Sequence, residues 1–139
     1  MGKEDVSARC NAIEECYEFL LAYAGQGLSG KENNQSNSQV RDFLNRAVEA
    51  LSDLPEAYDE AVRKEHLKPA DRYLAFLAVL EKDARDSIAT IQLVLAQATI
   101  SSQLIDNLNA SIHLRALLTD LFLIDEILKP QPLAAKPPS

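Results

Sequence analysis

The segment SSQLIDNLNASIHLRALLTDLFLIDEILK, residues 101–129, decides the fold. Read as one helix, it carries a heptad seam of Ala110, Leu114, Leu117, Leu121, Ile124 and Leu128. A second stripe, Ile105, Leu108, Ile112, Ala116, Leu123 and Ile127, lies roughly a third to a half turn away. At about 100° per residue the two stripes do not merge into one ordinary amphipathic face. A helix apolar on two sides needs cover on two sides, either wholly by its own fold, as an unusually central helix, or in part by another chain.

Residues 5–28 pose the same problem on a smaller scale. Val6, Cys10, Ile13, Tyr17, Leu20 and Ala24 form one seam, and Ala12, Cys16, Phe19 and Tyr23 a second. The polar side is narrow, with Asn11, Glu14, Glu15 and Glu18. This first helix stops in Gly25-Gln26-Gly27, and a polar loop follows from Ser29 to Ser38. Gly30-Lys31 lacks the glycine spacing, the following Ser or Thr and the preceding strand of a phosphate loop. A second helix is expected from near Ser38 to about His66. Val40, Leu44, Ala47, Leu51, Leu54, Tyr58 and Ala61 keep one phase across it. That phase favours one kinked helix through Pro55 over a fresh start capped by Asp53 and Glu56.

Lys68-Pro69 opens the third helix. From Ala70 to Lys129 there is neither Gly nor Pro. One helix of that length would reach about 90 Å at the standard rise, so a break is required. Thr99-Ile100-Ser101-Ser102 is the place for it, because serines cap and β-branched residues disfavour helix. Beyond Lys129, four prolines in residues 130–139 predict a disordered, extended Pro-rich tail. The expectation is therefore all-α: an antiparallel up-down-up-down four-helix bundle, one domain over residues 1–129, with the tail appended.

Composition narrows the function. A formal net charge of −7 opposes a general nucleic-acid binder and an anionic-membrane binder. The start Met-Gly-Lys-Glu-Asp-Val lacks the apolar core of a signal peptide, and no apolar run approaches a membrane span. These features predict a cytoplasmic protein. The two cysteines, Cys10 and Cys16, are about 120° apart on a helix, so they neither bridge nor form a zinc pair. They read as buried thiols, with an intermolecular disulfide or a reactive thiol as the alternative.

No cofactor or metal is expected. Neither His66 nor His113 sits in a Glu-x-x-His motif or beside a Cys-x-x-Cys pair, and the only methionine is Met1. The polar residues that invite chemistry are Asp106, Asn109, His113 and Asp120, which share a stripe with Ser102 on the last helix. They define an alternative site, a phosphorelay or an acid–base module centred on His113. Against it, His113 is followed by Leu114 rather than an acidic residue, and no proline or Lys-Gly follows further on. The carboxylates of Glu81, Asp83 and Asp86 alternate with Lys82 and Arg85 at spacings that suit solvated i,i+4 pairs.

The main reading is a non-enzymatic interaction module, whether adaptor, regulator, assembly factor or small chaperone. It acts through the apolar faces of its first and last helices on a protein partner whose identity the sequence does not carry. A homodimer is expected. Its interface is assigned to Phe19 and Tyr23 with Leu114, Leu117, Leu121, Ile124 and Leu128. The five aliphatic residues represent about 8 to 15 kcal/mol of gross burial, too much to leave in water.

Overall fold

A computed structural model describes residues 2–31 and 34–129. The protein is all-helical. Five helices run in the order α1 (Lys3–Ala24), α2 (Asn34–Lys64), α3 (Ala70–Leu95), α4 (Ser102–Ala110) and α5 (Ile112–Leu128), and the described residues contain no strand. The expected tail at 130–139 lies outside the described residues.

Helix α1 begins where the backbone N–H of Gly2 donates to Asp5 Oδ2, 2.9 Å away. Glu4 and Asp5 add negative charge to that first turn, where the helix dipole favours it. Both seams of α1 go inward: Val6, Cys10, Ile13 and Leu20 from the first, Cys16 and Tyr23 from the second. Helix α2 starts at Asn34, a turn earlier than expected, and runs unbroken past Pro55. Every residue of its predicted phase is buried. It stops at Lys64, and His66 takes a left-handed φ of 51°.

Helix α2 packs against both α1 and α3, while α4 leans chiefly on α1 and α5 chiefly on α3. Buried side chains from all five helices form one core. The predicted break falls at residues 96–101, as the serine cluster required. The guanidinium of Arg41 on α2 fixes the end of α3. It donates to the carbonyl of Leu95 at 2.9 Å, at the helix end where the helix itself supplies no donor, and to that of Gln97 just beyond it at 2.6 Å.

A polar knot joins the loop after α1 to the start of α4. Ser102 Oγ accepts from the Leu28 N–H and donates to the Tyr23 carbonyl, at 2.8 and 2.6 Å. The Ser102 N–H donates to the Leu28 carbonyl, and the Tyr23 hydroxyl to that of Ile100. Gly30 has φ +90°, and a Cβ there would come within 3.0 Å of the Ile100 backbone, so only glycine fits this approach.

The expected last helix is two helices. Ser111 leaves the helical region, with φ −63° and ψ 142°, and its hydroxyl accepts from the Leu114 N–H to cap α5. Ser101 caps α4 in the same way through Leu104. The break resets the helical phase. Ile105 and Leu108, from the second stripe, therefore turn into the core beside the seam residues Leu114, Leu117, Leu121, Ile124 and Leu128.

Candidate functional site

Resetting the phase at Ser111 satisfies one stripe and strands half of the other. Ile112, Leu123 and Ile127 stand 75%, 49% and 52% exposed, and Phe122 beside them 58%. Among the described residues these four make up the majority of the seven exposed large apolar side chains; Leu21, Val79 and Leu93 are scattered over α1 and α3. Ile112, Ala116, Leu123 and Ile127 fall within about 60° on the outer side of α5. Thr119 lies on the same face, and its hydroxyl donates to the Arg115 carbonyl at 3.0 Å. Its polar atom is thus satisfied within the helix.

The stripe continues into a cavity of about 240 Å³, whose lining includes Tyr58, Tyr73, Phe76, Leu123, Ile127 and Arg72. The Tyr58 hydroxyl donates to the Tyr73 carbonyl at 2.7 Å, and burial pushes this phenol up to about 12. It is a fixed donor rather than an acid or a base. The wall is predominantly apolar.

The side chains assigned to the interface from sequence sit elsewhere. Leu114, Leu117, Leu121, Ile124 and Leu128 are buried within the chain. Phe19 stacks on Phe43 of α2, with ring centroids 4.0 Å apart and planes 7° from parallel, and Arg46 lies over the Phe43 ring. Tyr23 is buried and bonded to Ile100. The exposed large apolar side chains of α5 are instead Ile112, Leu123 and Ile127 of the second stripe, plus Phe122, which belonged to neither stripe. The signal for Ile112, Leu123 and Ile127 was the second stripe itself.

The polar stripe is divided by the same break. Asp106 is exposed on α4, and Asn109 is buried there with its Nδ2 donating to the Leu20 carbonyl at 3.2 Å. His113 is exposed on α5, where its carbonyl accepts from Ser87 Oγ. Its imidazole makes no hydrogen bond or ion pair with Asp106, Asn109 or Asp120. The acidic group it influences is Asp86 on α3, held below the usual carboxylate range mainly by its hydrogen bond with Lys82. Asp120 turns inward to α3 and meets Asp83. Burial, then that second carboxyl, pushes Asp120 up to about 8, and its Oδ2 has no hydrogen-bond partner.

Both thiols are buried. Burial raises Cys10 to about 12, helped by Asp125 and Glu14, and raises Cys16 against the opposing charge of Arg46. A thiol so raised is a poor nucleophile. Among the described residues no three His, Cys, Asp or Glu side chains gather as a metal site would need. No helix among them is long and apolar enough to cross a membrane. The chain matches no protein-family model, no curated protein and no solved structure.

Proposed function

We propose that this chain is a non-enzymatic, cytoplasmic protein–protein interaction module of the adaptor, regulator, assembly-factor or small-chaperone kind. It forms one antiparallel four-helix bundle over residues 1–129, in which α4 and α5 together fill the fourth position. It acts through the outer apolar faces of its last and first helices, with Ile112, Phe122, Leu123 and Ile127 on α5 as the working surface and Leu21 on α1 as a lesser contact. The observation that carries this reading is the gathering of exposed large apolar side chains on one helix, next to an apolar cavity. A patch of this kind on an otherwise charged surface marks an interaction site. The acid–base alternative at His113 draws no comparable support, because Ser111 separates its four residues and Asp120 faces Asp83 instead.

Site-specific photo-cross-linking tests the reading. A photoreactive phenylalanine analogue placed at Ile127 in the native host should give a discrete adduct on irradiation. The same probe at exposed Ala89 on α3 should not. An adduct pattern at Ile127 no different from that at Ala89 would overturn the proposal.

A further inference from the structure

Resting on that reading, we infer that the occupant of the α5 face is a second copy of this chain, docked antiparallel about a two-fold axis level with residues 120–121. The outer stripe has a pattern suited to pairing with itself. Along α5 it runs large, small, small, large, large: Ile112, Ala116, Thr119, Leu123, Ile127. Two antiparallel helices about that axis interleave these side chains. Each Leu123 falls level with the gap between Ala116 and Thr119 of the other copy. Each Ile127 falls level with the gap between Ile112 and Ala116. The small residues at the centre let the backbones approach, and the satisfied hydroxyl of Thr119 is no obstacle.

The flanking charges agree with the same register. Arg115 and Glu126 are eleven residues apart, about three turns, so they lie on nearly one line beside the apolar stripe. A two-fold axis perpendicular to the helices keeps a flank on its own side while reversing its direction. With the axis at residues 120–121, Arg115 of each copy comes level with Glu126 of the other. Both side chains are exposed, and Glu126 already pairs with Lys129 of its own helix. Docking would join Arg115 to that pair on each side. A chain of net charge −7 repels its copies in general, so a register that sets opposite charges against each other is the one that can form. The apolar stripe alone would suit many partners, whereas the matched order of sizes and charges suits a second copy.

Sedimentation equilibrium of the full chain from about 1 to 300 µM tests this. The wild type should dimerise. Arg115→Glu and Glu126→Arg, each placing like charges opposite each other twice per dimer, should each raise the dimer Kd about five- to tenfold. The double variant should return to within about twofold of wild type. Leu123→Glu should give a monomer with unchanged helicity by circular dichroism, since the site is on the surface. A wild type that stays monomeric at 300 µM, a Leu123→Glu protein that still dimerises, or a double swap no better than the singles would overturn the inference. A monomeric wild type that still cross-links from Ile127 to a different protein defeats only the second copy. Monomer with no discrete adduct defeats the interaction reading as well.

Discussion

A carboxyl group only 6% exposed must keep its proton or meet a cation, and Asp120 faces another carboxyl, Asp83. In the unfolded chain an aspartate titrates near 3.9, whereas here it is pushed up to about 8. The folded form therefore holds a proton that the unfolded form has released. This contribution to stability is complete below about pH 4 and is lost as the pH rises through about 8. Asp120→Asn removes the proton requirement. It should stabilise the protein at pH 8 by an amount on the order of a few kcal/mol and have little effect at pH 4. Urea midpoints of both proteins at the two pH values check this, and identical pH dependences would refute it. Some dependence should remain in the variant, because burial also raises Glu14. The sequence placed Asp120 on a stripe with His113. It could not place Asp83 opposite, because a helical wheel gives the angle of a side chain but not which helix faces it.

Leu117 and Leu123 lie on one helix and are chemically identical, yet one is fully buried and the other half exposed. Leu117→Ala should cost about 2–5 kcal/mol, the lost burial plus a cavity. Leu123→Ala, measured on the monomer at low concentration, should stay within about 0.5 kcal/mol. Chemical denaturation of both variants decides which stripe is core, and a reversed order would contradict the packing described. The heptad seam was legible because hydrophobic period survives in sequence, and so were the long phase of α2 and the serine break at 101. The break at Ser111 used the same chemistry as the one at Ser101 and went unread. Asn109-Ala110-Ser111 contains no Gly or Pro, and an unbroken wheel laid across it gives two stripes too far apart for one face. Once the phase is reset, most of the excess disappears: Ile105 and Leu108 join the core, and only the α5 part of the second stripe remains outside. An assumed continuity of the helix thus assigned outward positions to side chains that the structure buries.

At the scale of the whole molecule, the core draws on all five helices, and neighbours in the chain are mostly neighbours in space. Helices α1 with α2 and α2 with α3 pair along adjacent stretches of chain. The knot at Ser102 is different, because it ties Tyr23 and Leu28 to a residue 74 to 79 positions further on. Such a contact carries a loop-closure cost that adjacent helices do not meet. On a chain whose most extensive pairings, α1 with α2 and α2 with α3, join adjacent helices, it belongs among the last contacts to form. Ser102→Ala, which removes two hydrogen bonds and leaves the Leu28 N–H and the Tyr23 carbonyl without that partner, should therefore act on one kinetic arm only. The unfolding rate should rise about tenfold, as a loss of roughly 1–3 kcal/mol allows, while the refolding rate stays nearly constant. Stopped-flow chevrons would show this, and slowed refolding with unchanged unfolding would place the knot in the nucleus instead. With the knot formed late, Ser102 sets how long the folded protein lasts rather than how quickly it is made, and a single hydroxyl would lengthen the lifetime of the native state.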